Sequence, residues 1–246
     1  MLAGPITLRS RGSNPAPATL KMFYIGIDDA GRGPVIGPMV LAGVLADERE
    51  IAKFKELNVR DSKMITAKRR RFLAREIKKI ALGYHIIETF PSEIDEKINH
   101  KINLNKIEAL KAAEIINILI KKVPEAEVII DCPSSNTRTW QNYVYEHLHG
   151  KDKIKLKCEH KADFKYRVVS AASILAKVTR DNEIDKIKKQ YNIHCGSGYP
   201  SDPMCKKFLE TDKAKELAKI GLIRKSWATW KNEVKKRNQR KLLEFA

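Results

Sequence analysis

The chain has 246 residues, and its 48 Lys and Arg against 30 Asp and Glu give a formal net charge of +18. Hydrophobic residues make up 43% of the sequence, as in a folded core, and no apolar run reaches the 18 residues that a transmembrane helix requires. The charge favours a polyanionic partner, above all nucleic acid, over a merely basic protein. The four cysteines, Cys132, Cys158, Cys195 and Cys205, show no CxxC spacing, so we expect reduced thiols in a cytoplasmic protein.

Residues 1–21 contain no acidic residue and no periodic pattern, and we interpret them as a flexible leader, a cloning remnant or the product of an upstream start codon. The apolar run Met22–Ile27 then predicts a buried strand that stops at the adjacent carboxylates Asp28 and Asp29. Neighbouring acids favour a bound cation, and the glycines that follow allow a ligand to approach the backbone. An ordinary turn between two strands explains these residues equally well.

The rest of the chain alternates strand and helix patterns. Thr66 and Asn103 are predicted to cap helices, and the uncharged stretch 168–176 predicts a helix packed closely against a sheet. The predicted strands are 39–46, 84–90, 127–131 and 154–159. The predicted helices are those capped at 66 and 103, one over about 138–148, and one that follows 160–163 and contains 168–176. A turn-rich loop, 196–203, and two helices ending in a basic tail complete the chain. This order predicts an α/β domain with a helical C-terminal appendage.

Carboxylates recur where predicted strands end. Asp28 and Asp29 follow the first strand, Asp131 ends the strand 127–131, and Asp163 lies between a strand and a buried helix. The ends of strands are where open α/β sheets place ligands, although each aspartate alone is more typical of a turn or a helix cap. Four acids in a chain of charge +18 favour a cation site, and oxygen ligands indicate Mg²⁺ or Mn²⁺ rather than zinc.

The glycine-rich segment GIDDAGRGPVIGP at 26–38 closely resembles the opening motif of the type 2 ribonucleases H, the archaeal ribonuclease HII group. Further blocks of the resemblance follow in order at 59–63, 160–163, 168–181 and 196–203. The family motif has Glu where this chain has Asp29. The resemblance implies a ribonuclease H-like fold, with a mixed sheet of about five strands flanked by helices. It divides the chain into a catalytic domain, 22–203, and a helical C-terminal extension with a basic tail, 204–246.

The resemblance also implies an activity. Members of the family hydrolyse the RNA strand of RNA–DNA hybrids and cut 5′ of ribonucleotides in duplex DNA, leaving 3′-hydroxyl and 5′-phosphate ends by a two-metal mechanism that uses Mg²⁺ or Mn²⁺. Carried onto this sequence, the resemblance implies two sets of site residues. The metal ligands are Asp28, Asp29, Asp131 and Asp163. The substrate-binding residues are Gly31, Arg32, Gly33, Lys63 and Tyr199.

Two other interpretations stay open. The first is a ribonuclease H of type 3, which also cuts hybrids. In that type the glycine segment departs from GRG, and an N-terminal substrate-binding domain precedes the segment. We expect the 21-residue leader to be too short for such a domain. Alternatively, the protein binds nucleic acid without cleaving it, and the acids serve as caps.

The chain ends in QRKLLEFA, which resembles the short motif that docks on the DNA sliding clamp. Gln239 is followed by an aliphatic residue three positions on, Leu242, and by an aromatic residue six positions on, Phe245. Ala246 stands where the motif has its final aromatic residue. We expect a monomer that binds hybrids and DNA containing ribonucleotides, and binds a sliding clamp only weakly.

Overall fold

The computed structural model describes residues 21–60 and 65–244, with side chains up to residue 239. Its five strands form one mixed sheet in the order β3-β2-β1-β4-β5, in which β1 is antiparallel to β2 and parallel to β4. The strands are β1 Phe23–Ala30, β2 Met39–Asp47, β3 Gly83–Thr89, β4 Ala126–Asp131 and β5 Ile154–Glu159. The predicted mixed sheet of five strands is confirmed.

Ten α-helices flank this sheet in the part of the chain that is described. They are α1 Glu48–Glu56, α2 Ala67–Ile80, α3 Pro91–Asn99, α4 Leu104–Leu119, α5 Thr137–Glu146, α6 Ala162–Lys165, α7 Arg167–Tyr191, α8 Pro203–Leu209, α9 Asp212–Lys219 and α10 Ala228–Glu244. The two predicted caps are confirmed, because Thr66 Oγ1 accepts from Arg69 N at 3.3 Å and Asn103 Oδ1 accepts from Lys106 N at 3.0 Å.

The sequence-based prediction was wrong on three points. It ended the first strand at Ile27, whereas β1 continues to Ala30, so that Asp28 and Asp29 lie inside the strand. It missed α1 and α3: α1 begins at a capping box formed by Asp47 and Glu50, and Pro91 opens α3 rather than only ending a strand. It also placed two helices after residue 203, where the structure has three.

The sheet is covered on both faces. On one face, Ile25 and Ile27 of β1 pack with the buried sides of α4 and α5. On the other face, α7 lies directly on β1. The lack of a side chain at Gly26 allows this close approach, since a Cβ at this position would lie 2.4 Å from the carbonyl carbon of Val168. The predicted close packing of the small-residue stretch 168–176 is therefore confirmed.

A third cluster of buried side chains joins the C-terminal helices to the loop after β1. Val35 and Ile36 pack with residues of α8, α9 and α10, and Ile36 forms an isolated antiparallel bridge with Ile223. Arg224 N donates to Val35 O at 2.9 Å. The C-terminal helices therefore contact the loop that follows the strand carrying Asp28.

The four cysteines are free, as expected of reduced thiols, and all four are buried. None of the described helices is both long and apolar enough to cross a membrane.

Candidate active site

Three carboxylates meet at one edge of the sheet. Oxygens of Asp28, Asp131 and Asp163 all lie within 4.8 Å of one another. The pairing of Ile27 with Ile130 in the parallel strands β1 and β4 brings the next residues, Asp28 and Asp131, side by side. The structure thus gathers three of the four predicted metal-site acids.

The third carboxylate arrives from the turn after β5. Asp131 Oδ1 accepts a hydrogen bond of 2.9 Å from Ala162 N, which fixes the first turn of α6 against the end of β4. Lys161 takes a left-handed conformation with φ of 57° to make this turn. Asp163 follows on α6 and is buried beside the other two carboxylates.

The cluster concentrates negative charge away from water. Burial raises the pKa of Asp28 well above its usual range, and the neighbouring charges of Asp29 and Asp131 raise it further. A hydrogen bond from Ser173 on α7 opposes this shift, and Lys177 Nζ lies 3.0 Å from Ser173 Oγ. Buried carboxylates held this close are stabilised by a cation, and a set of oxygen donors alone suits a hard divalent ion such as Mg²⁺ or Mn²⁺. The residues fit the metal.

Asp29 lies on the opposite face of β1 from Asp28, because successive side chains of a strand alternate. It is not among the three carboxylates whose oxygens lie within 4.8 Å of one another in the described structure. Burial, together with the charge of Asp131, raises the pKa of Asp29 to about 6 against the opposing charge of Arg32. Asp29 therefore borders the cluster from the side of the sheet that faces α4.

The glycine segment after β1 is held by a residue that the sequence did not indicate. Arg224 is fully buried, and its guanidinium donates to the carbonyl oxygens of Gly31 at 2.6 Å, Arg32 at 2.6 Å and Gly37 at 3.2 Å. Burial lowers the pKa of Arg224 to about 9, so the side chain keeps its charge at neutral pH. Gly31 has a φ of 90°, which disfavours any residue with a side chain.

Arg32 was predicted to contact substrate. In the structure its guanidinium pairs with the buried carboxylate of Glu108 and donates to Asn105 Oδ1 at 2.7 Å, both on α4. Its side chain is 28% exposed. The arginine therefore anchors the glycine segment to α4 through its side chain, while Arg224 holds its carbonyl oxygen.

Gly33 and Tyr199, both predicted to bind substrate, lie near each other in the structure. A Cβ on Gly33 would lie 3.6 Å from Tyr199 Cε1, and the Arg180 guanidinium lies 4.7 Å from the centre of the tyrosine ring. Asp202 orders this loop, since Oδ2 accepts from Ser197 N at 2.7 Å and Oδ1 accepts from Met204 N at 2.9 Å. The remaining predicted residue, Lys63, lies outside the described residues.

Comparison with known proteins shows the family of the chain. The family model for ribonuclease HII matches residues 25–230. The chain is 43% identical over 225 residues to a ribonuclease HII of Methanococcus maripaludis, covering 91% of this chain and 92% of the relative. The crystal structure of ribonuclease H2 from Pyrococcus horikoshii is similar with a TM-score of 0.75 at 34% identity, covering 87% of this chain and 98% of that one.

A second solved structure, the complex of PCNA with ribonuclease HII from Archaeoglobus fulgidus, is similar with a TM-score of 0.70 at 35% identity and covers 84% of this chain and 95% of that one. The shared fold is that of the ribonuclease H-like enzymes, and the family match extends from β1 into α10. The chain therefore belongs to the ribonuclease HII family and is a metal-dependent endoribonuclease that acts on RNA–DNA hybrids.

Proposed function

We propose that the enzyme also cuts duplex DNA on the 5′ side of a single embedded ribonucleotide, leaving 3′-hydroxyl and 5′-phosphate ends. The observation that carries the proposal is the position of the carboxylate cluster next to the glycine segment. Asp28 and Gly31 are three residues apart on the same chain segment, and the Tyr199 ring lies near Gly33, where an added Cβ would be 3.6 Å from Cε1. The proposed metal ligands and the proposed ribose-reading segment are therefore neighbours, which supports the proposal.

Asp28, Asp131 and Asp163 are the proposed metal ligands, and we keep Asp29 as a fourth at the border of the cluster. Held by these residues, two hard divalent ions would supply the activation of a water and the stabilisation of the leaving oxygen at phosphorus. The chain itself orients the ligands: Ser173 holds Asp28 and the Ala162 amide holds Asp131. Both Mg²⁺ and Mn²⁺ match the oxygen ligands.

Ribose recognition is proposed for the segment Gly31–Gly33 and Tyr199, with Lys63 contacting a phosphate. Telling RNA from DNA requires contact with the 2′-hydroxyl, which both donates and accepts hydrogen bonds. The tyrosine ring is half-buried and stacked by Arg180, so it offers a rigid surface for a sugar beside the backbone of Gly33. Arg32 contributes its backbone, because its guanidinium is paired with Glu108.

Cleavage of three matched substrates tests the proposal. The substrates are an RNA–DNA hybrid, a DNA duplex with one ribonucleotide and the same duplex without it, each labelled at one end and incubated with Mg²⁺ or Mn²⁺. We expect cleavage of the first two and one cut 5′ of the single ribonucleotide. Cleavage of the hybrid alone would indicate an enzyme of type 3 behaviour and would refute the proposed incision.

We further propose that the tail docks on a sliding clamp. The ribonuclease HII of A. fulgidus was solved in a complex with PCNA. Helix α10 continues to Glu244, and Gln239 is exposed on it, whereas the side chain of Leu242 and all of Phe245 lie outside the described residues. Deleting residues 239–246 is expected to abolish binding to the cognate clamp in calorimetry and to leave hybrid cleavage without clamp unchanged. Equal clamp affinity before and after the deletion would exclude this motif.

The free cysteines agree with a reducing compartment, and we propose a cytoplasmic, monomeric enzyme.

A further inference from the structure

A basic groove lies between α2 and α7, outside the carboxylate cluster. Its cavity volume is about 380 Å³. Four exposed cations of α2 line one side, namely Lys68, Arg71, Arg75 and Lys78. Val178 and Asn182 of α7 line the other side, and no carboxylate lines the groove among the residues that the structure describes.

The four cations form a row because they recur at intervals of three and four residues, which places them on one face of a helix. The opposite face of α2, with Leu73 and Ile77, is buried. Neither Arg71 nor Arg75 takes part in any ion pair found within residues 21–60 and 65–239. The neighbouring cations are used differently: Arg70 lies 3.5 Å from Asp181, and Lys79 lies 2.8 Å from Glu76.

The row begins near the active site. Helix α2 ends shortly before β3, whose first residue, Gly83, pairs with Leu45. Leu45 lies at the end of the sheet away from the carboxylates, because it pairs with Ile25. Since α2 ends at that side, its first turn lies toward the carboxylates. Arg70 in that first turn reaches Asp181 on α7. Lys177 of α7 lies beside Ser173, the residue that holds Asp28. The next residue, Val178, lines the groove.

We propose that this groove binds the phosphate backbone of the duplex arm that flanks the cleavage site. The proposal rests on the proposed cleavage within duplexes. From Lys68 to Lys78 the row is about 15 Å long at about 1.5 Å per residue. One strand of a duplex carries a phosphate about every 3.4 Å along the axis, so the row matches about four successive nucleotides. Contacts of this kind hold and orient a duplex without reading its sequence.

The test removes two cations from the groove and, as a control, two from a distant site. The groove variant is Arg71→Gln with Arg75→Gln. The control variant is Lys121→Gln with Lys122→Gln, which are exposed and precede β4 at the sheet edge opposite the carboxylates. Both change the net charge by the same amount, so any difference between them reports position rather than total charge.

Fluorescence anisotropy with a 30-base-pair DNA duplex in EDTA gives Kd as a function of salt. The logarithm of the association constant falls linearly with the logarithm of the salt concentration. We expect the magnitude of this slope to decrease by about 1.8 in the groove variant, which is about 0.9 for each lost phosphate contact, and to change little in the control. A second variant, Arg71→Lys with Arg75→Lys, should keep the slope. At saturating substrate, kcat should be unchanged in all three.

Equal slopes in the groove and control variants would overturn the proposal, as would normal binding with a reduced kcat. The result is independent of the proposed incision, because binding is measured on a duplex without ribonucleotides. The wild type could fail to cut at a single ribonucleotide while the magnitude of the salt slope still decreases in the groove variant. That result would support duplex binding by the groove and refute the proposed incision.

Discussion

The buried guanidinium of Arg224 donates a hydrogen bond of 2.6 Å to the carbonyl oxygen of Gly31, 193 residues earlier in the chain. The same side chain donates to the carbonyl oxygen of Arg32, so a planar fork fixes two successive peptide groups. These peptides belong to the segment that we propose reads the ribose. The C-terminal part of the chain therefore sets the shape of this glycine segment.

Arg224→Lys tests this relationship. Lysine keeps the charge but has no fork, so it cannot hold both carbonyl oxygens in the same geometry. Because small displacements of positioning groups are costly to rate, we expect kcat/KM on a single-ribonucleotide duplex to fall about 10- to 100-fold. Circular dichroism at the assay temperature establishes that the variant is folded. Wild-type activity in the folded variant would show that the fork only supports packing.

Asp131→Asn removes one ligand charge with little change of shape. We expect hybrid cleavage to be abolished and binding of Mn²⁺, measured by calorimetry, to weaken strongly, while hybrid affinity in EDTA stays near that of the wild type. The amide still carries an oxygen that can accept from Ala162 N, so the turn before α6 should persist. Near-normal cleavage would contradict the assignment of Asp131 to the metal site.

Gly26→Ala should destabilise the fold. The added Cβ would lie 2.4 Å from the Val168 carbonyl carbon, so α7 must move away from β1, and overpacking of this kind costs about 1–3 kcal/mol. Urea denaturation measures the free energy of unfolding. Gly33→Ala is the matched control, because its Cβ would meet only Tyr199 at 3.6 Å, and equal losses in both variants would exclude the steric explanation.

Tyr199→Ala should reduce cleavage of a single-ribonucleotide duplex more than cleavage of a long hybrid, where several riboses offer alternative contacts. Tyr199→Phe keeps the ring that lies under Arg180 and separates stacking from the hydroxyl group. The measurement is kcat/KM on both substrates. A uniform loss on both would mean that the tyrosine supports the loop and does not select ribose.

Asp202 makes the stability of the loop 196–203 depend on pH. Hydrogen bonds from the Ser197 amide, the Ser197 hydroxyl and the Met204 amide lower the pKa of Asp202 below its usual 3.8. A lowered carboxyl pKa adds stability that is fully present above the unfolded value and is lost as the pH falls through the folded value. We therefore expect Asp202→Asn to be less stable than the wild type at pH 6, and this difference to shrink below about pH 3.8 in thermal melts. A difference that is constant down to pH 2 would contradict this origin.

Local patterns in the sequence were sufficient for much of the fold. Alternating residues gave β5 its bounds, and the side chains of Thr66 and Asn103 located two helix starts. Helix α1 was missed because its short sequence has only two large apolar residues, Ile51 and Phe54, among charged ones. Here the capping box, rather than periodicity, carries the signal.

The site was predicted less completely, because its remaining parts depend on distant partners. Strand ends and the family motif indicated Asp28, Asp131 and Asp163, which do meet. The separation of Asp29 from them follows from the alternation of β1, once that strand is known to continue past Ile27. Neither Glu108 as the partner of Arg32 nor Arg224 as the support of Gly31 has a local signature, since each acts across more than 70 residues.

The contact between the two ends of the domain has a consequence for synthesis. Chains grow from the N-terminus, and the strands that carry Asp28 and Asp131 leave the ribosome before the segment that contains Arg224. Until then the carbonyl oxygens of Gly31 and Arg32 lack the guanidinium that fixes them. A nascent chain therefore lacks this contact until the segment around residue 224 has emerged, and only then are the peptide groups of Gly31 and Arg32 fixed.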